Sequence, residues 1–320
     1  MQKKSLIIFL MSFLMLSMFS VAEAKTNIKI GIIIFSDEVR YDEAKRGIVD
    51  QLKKGGFAEP NVKYTIANAK GSKLKATEAV QKLSEEKMDL IITMGTSAAL
   101  ITSKIIKDTP IVFSTVYNPV ESGIAKNLKR SGNNTTGVTT WFPLSRIIYF
   151  MKEFAPVKTL AVLYTPEEKN TVAQLLELQK NQTDTQIKVI PIIISRKEDL
   201  MLMMPEAVRV ADAIYLTGSS IIGTAVPLIV EEANRSKVIT VTHLDDLVQK
   251  GVLLGMGVDS YTAGQQAGKI AIKVLRGAKP SSIPIEAGKK VNSFFNVRSA
   301  RAGQFNIPPT FMKKVTKVIE

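Results

Sequence analysis

The chain has 320 residues and no cysteine, with 45% hydrophobic and 22% charged residues and a formal net charge of +14. That is the composition of a folded chain long enough to bury full cores, and the missing cysteines exclude a disulfide or a cysteine-linked lipid. The basic excess is scattered (Lys53, Lys54, Lys70, Lys73, Lys75, Lys104, Lys107) and no helix-turn-helix or aromatic RNA-binding motif accompanies it, so a solvated surface explains it better than a nucleic-acid partner.

Lys3 and Lys4 precede an apolar run over 6–21 that ends in Ala22-Glu23-Ala24. A charged start, an apolar core and small residues before the cut predict a secretory signal peptide over 1–24. The run is shorter than the ~20 residues of a membrane span, so no membrane anchor is expected.

Residues 28–35 form an apolar run interrupted only by Lys29, the pattern of a parallel strand buried on both faces. Helices over 43–54, 74–86 and 98–107 then alternate with strands over 62–67, 90–94 and 111–114. After Thr140 the alternation restarts: strands over 159–164, 187–194, 213–217 and 238–241, and helices over 168–183, 199–210 and 222–234. Two βαβ series predict an α/β chain of two Rossmann-like lobes, each a parallel sheet covered by helices. A glycine-broken strand over 252–258, a turn at Asp259 and Ser260 and a helix over 261–276 follow. Gly264 and Gly268 lie four apart on that helix and leave one face open to a close neighbour.

Ligands of open α/β sheets bind beyond the carboxyl ends of the strands. The loops there are polar and rich in hydroxyls: Ser36-Asp37-Glu38, Gly95-Thr96-Ser97 and Ser114 to Asn118 in the first series, and Tyr164-Thr165-Pro166, Gly218-Ser219-Ser220 and Thr242-His243 in the second. Thr96 and Ser97 open a helix, whose free N–H groups suit a carboxylate. Tyr117, Trp141 and Tyr164 are rings near these loops, able either to stack on a ligand or simply to pack.

His243 is the only histidine. Ser219, His243 and Asp245 can be drawn as a triad, but no Gly-x-Ser-x-Gly elbow surrounds Ser219 and no reactive nucleophile stands out, so no enzyme activity is expected. The glycines over 255–260 are two of a dinucleotide fingerprint and come too late in the chain, and no P-loop is present. A metal site would need a His or Cys cluster the chain lacks, so neither metal nor cofactor is expected. The sequons at Asn133 and Asn134 read as turn chemistry.

The segments 251–268 and 118–137 share a layout of strand end, turn and helix start. They resemble the substrate-binding proteins of ABC transporters, in the type I periplasmic-binding-protein fold, and within them the subfamily that includes tryptophan and tyrosine binders. The resemblance runs from about Lys25 to the C-terminus. It implies a three-crossover hinge, near 139–142, 255–260 and 287–292, with lobe one built from 25–138 and 260–287 and lobe two from 139–259 and 288–320. Gly255 and Gly257 fit such a hinge. It further implies a periplasmic monomer that binds a small molecule between its lobes and delivers it to an ABC permease. Docking on a membrane receptor, as a sensor, is the alternative.

Asn170 matches a polar site of the relatives. Gly218-Ser219-Ser220 departs from their Asp-Asn-Thr loop and lacks its acid, for which Asp245 and Asp259 are substitutes. The expected ligand is therefore a carboxylate-bearing solute such as an amino acid or related acid. The candidate contacts are Ser36, Thr96, Ser97, Tyr117, Asn118, Trp141, Tyr164, Asn170, Ser219, His243 and Asp259.

Overall fold

In the computed structural model residues 27–320 are described, and the expected signal peptide lies outside them. The isoleucine-rich β1 (Ile28–Ile34) is flanked in parallel by β2 (Val62–Asn68) and β3 (Leu90–Met94), and Ile30, Ile32 and Ile33 are wholly buried. β4 (Ile111–Val116) and β5 (Thr135–Thr139) extend this sheet, and the short β11 (Glu286–Ala287) closes its edge, giving the order β11-β5-β4-β3-β1-β2. Helices α1 (Val39–Lys54), α2 (Lys73–Glu85) and α3 (Thr96–Ile105) connect the first four strands.

The second sheet runs β13-β12-β10-β9-β8-β6-β7. Its strands are β6 (Thr159–Tyr164), β7 (Lys188–Ile193), β8 (Ala213–Leu216), β9 (Ile239–Thr242), β10 (Leu254–Val258), β12 (Val291–Asn296) and β13 (Lys317–Ile319). Its helices are α4 (Ser145–Phe154), α5 (Lys169–Lys180), α6 (Gln182–Thr185), α7 (Asp199–Val210), α8 (Ser220–Thr224), α9 (Val226–Arg235), α10 (Asp245–Gln249) and α12 (Val297–Ala302). The rings of Phe150, Phe154, Phe295 and Phe311 meet beneath this sheet, each burial contributing about 1.5–3 kcal/mol.

The chain changes sheet between β5 and β6, after β10, and between β11 and β12. After β10 it enters α11 (Ser260–Leu275), which packs on α1 of the first lobe. A Cβ on Gly264 would collide with the Ala44 carbonyl, and one on Gly47 with the Tyr261 carbonyl. Glycines on both helices therefore let the two backbones touch.

Several elements differ from the sequence reading. Residues 118–137 hold no helix start; Pro119 and the left-handed Asn118, Gly123 and Gly132 make turns instead, and Asn127 and Asn133 accept nearby backbone N–H groups. The helix expected over 168–183 breaks at Asn181 into α5 and α6. That over 222–234 is α8 followed by α9, because Pro227 in the first turn of α9 supplies no N–H to continue α8. The second sheet is not wholly parallel: β12 pairs antiparallel with β10, the sole such pairing among the described residues.

Gly255 and Gly257 have a packing reason distinct from hinge flexibility. Both lie within β10, and a Cβ on Gly257 would strike the carbonyl of His243. Among the described residues no helix is long and apolar enough to cross a membrane.

Candidate ligand-binding cleft between the lobes

The carboxyl ends of both sheets face one cleft. From the first lobe it receives Phe35, Ser36, Glu38, Arg40, Tyr41, Thr96, Ser97, Thr115 and Tyr117; from the second, Glu168, Asn170, Gln174, Gly218, Ser220, His243, Leu244 and Asp245. Val258 and Ser260 enter at the second crossing.

The first-lobe wall depends on local backbone geometry. Gly95 caps α3 with φ of 96°, and a Cβ there would meet the Tyr41 hydroxyl at 2.7 Å. Glycine thus brings Thr96 and Ser97 close beneath α1, with first-turn N–H groups that lack intrahelical acceptors. The pairing of β4 with β5 shifts register between Phe113 and Val116, and Thr115 adopts a φ of 52°. Such a bulge re-aims the side chains after it, and here it delivers Tyr117 to the cleft, its backbone N–H donating to Thr96 Oγ1 at 3.3 Å.

The second-lobe wall is a hydrogen-bonded frame. Asn170 Nδ2 donates to the Gly218 carbonyl at 2.7 Å, and the Gly218 N–H donates to Gln174 Oε1 at 3.2 Å. Glu168 Oε1 accepts from the Ser220 N–H at 3.0 Å and hydroxyl at 2.7 Å. The acid absent from the Gly218–Ser220 loop is thus supplied beside it by the β6–α5 loop.

His243 packs its ring against Tyr117 and Tyr215, with Nδ1 2.8 Å from the Tyr215 hydroxyl. Burial, reinforced by Arg40, pulls its pKa down to about 3, so the ring is neutral. Gln174 Nε2 and Ser36 Oγ are buried without a partner among the described residues.

Carboxylates outnumber cations in the cleft. Arg40 is buried between Glu38, which it contacts, and Asp246, to which Nη1 donates at 2.8 Å. Burial opposes its charge, but Asp246 and Glu38 outweigh that and hold its pKa well above the usual value. Burial raises the Glu38 and Glu168 carboxyls, against the pull of Arg40 on the first and of the Ser220 and Ser219 hydrogen bonds on the second. Burial and the neighbouring Asp246 push Asp245 up to about 6.

Of the residues singled out by sequence, Ser36, Thr96, Ser97, Tyr117, Asn170 and His243 line this cleft. The other five sit elsewhere. Ser219 is buried behind Ser220, its hydroxyl 2.7 Å from that of Thr165 and capping α8. With Ser219 bonded there and His243 bonded to Tyr215, the drawn triad is not assembled. Tyr164 ends β6 and packs against the main core. Asp259 caps α11 through Thr262; burial opposes its charge, yet the Thr262 bonds with Lys317 and Lys290 lower its pKa to about 2. Asn118 and Trp141 line a separate hollow outside the cleft.

Sequence reading missed Arg40, Gln174 and Glu177. Arg40 finds Asp246 only through a contact 206 residues away. Asn170, Gln174 and Glu177 did carry a signal: polar residues at i, i+4 and i+7 share one face of a helix.

A family model for ABC transporter substrate-binding proteins matches residues 29–319. The chain is 26% identical over 282 residues to a tyrosine-binding protein of Clostridioides difficile, covering 88% of this chain and 82% of that one. The solved structure of an ABC domain from Streptococcus pneumoniae in complex with L-Trp superposes with a TM-score of 0.87 at 26% identity, over 92% of this chain and all of the other. A ligand-free, open substrate-binding protein from Clostridium difficile gives a TM-score of 0.72 at 24% identity, over 91% and 99%. With its two mostly parallel sheets and a facing cleft, the chain belongs to the ABC transporter substrate-binding proteins, in the type I periplasmic-binding-protein fold.

Proposed function

We propose that this protein is exported, captures a zwitterionic α-amino acid with an apolar or aromatic side chain, and delivers it to an ABC permease. The observation that carries the reading is the polarity of the cleft. One wall offers the amino end of α3 at Thr96 and Ser97, suited to a carboxylate. The opposite wall offers Glu168 and Asp245 in excess of the one guanidinium, suited to an ammonium. Phe35, Tyr41, Tyr117, Leu244 and Val258 provide apolar surface for a side chain. The tyrosine-binding relative and the L-Trp complex support the same class.

Closure is selected by the ligand because only the closed form contacts it from both walls. The acids at Glu168 and Asp245 favour an intact amino acid over the deaminated acid.

Thermal-shift titration tests this directly. L-Tryptophan, L-tyrosine, L-phenylalanine and L-leucine should include a ligand that, at 100 times its dissociation constant, adds about 2.7 kcal/mol of stability. The corresponding 2-oxo acids should add much less. Equal stabilisation by the oxo acids would remove the ammonium subsite, and stabilisation by sugars alone would overturn the whole reading.

A further inference from the structure

The polar face of α5 continues beyond the cleft. Asn170 and Gln174 fix the Gly218 peptide inside it, and Glu177, one turn on, lies outside in the hollow with Asn118 and Trp141. Its carboxylate gathers three donors: Oε2 accepts from the Tyr117 hydroxyl at 2.6 Å and from the Trp141 indole N–H at 2.7 Å, and Oε1 accepts from the Leu144 N–H at 2.8 Å. Tyr117 belongs to the first lobe and is a wall of the cleft. Trp141 and Leu144 belong to the segment by which the chain passes from β5 to the second lobe.

We infer that Glu177 is a positioning residue for ligand capture: from outside the cleft, its carboxylate ties the Tyr117 ring to the crossing segment at Trp141, so that the shape of the wall and the angle of the lobes are set together. An exposed helical glutamate would meet only water. This one accepts from the first lobe, from the crossing segment and from the start of α4, and hydrogen bonds to a charged acceptor are the strong ones. Tyr117 is fixed at its backbone by Thr96 and at its hydroxyl by Glu177, so losing the second constraint frees the ring while leaving the strand in place. The inference rests on the ligand reading above in its binding arm alone.

The experiment uses the mature chain with Glu177→Ala, Glu177→Gln, Tyr117→Phe and the Ala/Phe double variant. Calorimetric titration with L-tyrosine and L-tryptophan should show Glu177→Ala weakened by about tenfold or more, Glu177→Gln by less, and the double variant no weaker than Glu177→Ala, since both changes remove one linkage. Emission of Trp141, the only tryptophan, should shift to the red and become more open to iodide quenching in Glu177→Ala but not in Tyr117→Phe. Wild-type affinity in Glu177→Ala, effects that multiply in the double variant, or unmoved Trp141 emission would each overturn the proposal. If wild-type protein binds neither of these, nor L-phenylalanine or L-leucine, the functional reading fails. Solution scattering then decides this one: Glu177→Ala must broaden the distribution of lobe separations, and an unchanged profile refutes it. Should Glu177→Ala not fold, Glu177→Gln and its double with Tyr117→Phe carry the same comparison.

Discussion

Arg40 of the first lobe donates through Nη1 to Asp246 of the second at 2.8 Å, with both side chains almost wholly buried. The Arg40 guanidinium is the ion-pair partner of both Asp246 and Glu38 there, with the charge of Lys250 also acting on Glu38. Replacing Arg40 with Met should destabilise the closed arrangement by about 3–5 kcal/mol, because it strands buried carboxylates. Adding Asp246→Leu should recover part of that loss. Scattering and urea midpoints check both steps: the single variant should expand, and the double should be more compact than the single.

Ligand affinity should depend on pH through Asp245. Its carboxyl titrates near 6 when folded, against an ordinary 3.8, and only the ionised form pairs with an ammonium. Affinity is then flat above pH 6 and falls below it by up to about tenfold per unit. Asp245→Asn should flatten the profile and weaken binding at pH 7. Titrations at about pH 7.5, 6 and 5, which bracket the transition, read this out.

Stability also falls with falling pH, through His243. Its folded pKa of about 3 lies below the ordinary 6.5, so the unfolded chain binds the extra proton between those values. Its contribution is complete above pH 6.5 and lost as pH falls towards 3. Asp245, with its pKa raised in the fold, works the other way between 3.8 and about 6 and masks part of the loss. The clean comparison is with His243→Gln: between pH 6.5 and 5 the wild type should lose about 2 kcal/mol relative to the variant. Parallel stability curves would show that the imidazole is solvated.

Gly257→Val places a Cβ against the His243 carbonyl. The expected result is lowered thermal stability together with weakened ligand binding, because β9 and the residue that follows it must move. A variant with a normal melting point and altered closure alone would return Gly257 to a hinge role.

The strands from β1 to β4 and from β6 to β10 were legible because each is a short apolar run between turn signals, and the run at Ile30 to Ile34 marked a sheet covered on both faces. The polar β5 and β12 and the two- and three-residue β11 and β13 carry no such run and were not expected. Thr96, Ser97 and His243 were legible as cleft residues because topology alone places strand-end loops together. Arg40, by contrast, lies ahead of the helix expected over 43–54 and was not singled out, since no local pattern announces a partner on the other lobe. Asn118 was drawn to the cleft as the end of the Ser114 to Asn118 strand-end loop, and Trp141 by its place at the first expected crossover. Both line the hollow outside the cleft instead, and the left-handed backbone at Thr115 and Asn118 is a single-residue conformation that leaves no periodic trace.

The glycine seam between α1 and α11 also governs the order in which the protein can fold. Tyr261 donates to Asp50 at 2.9 Å across 211 residues, and the Gly47, Gly264 and Ala44 contacts beside it are as distant in the chain. The first-made lobe therefore lacks one of its covering helices until almost the whole chain has emerged, and a long loop must close before the seam rewards it. A chain built this way stays incompletely folded through most of its synthesis, the condition in which a polypeptide is threaded across a membrane.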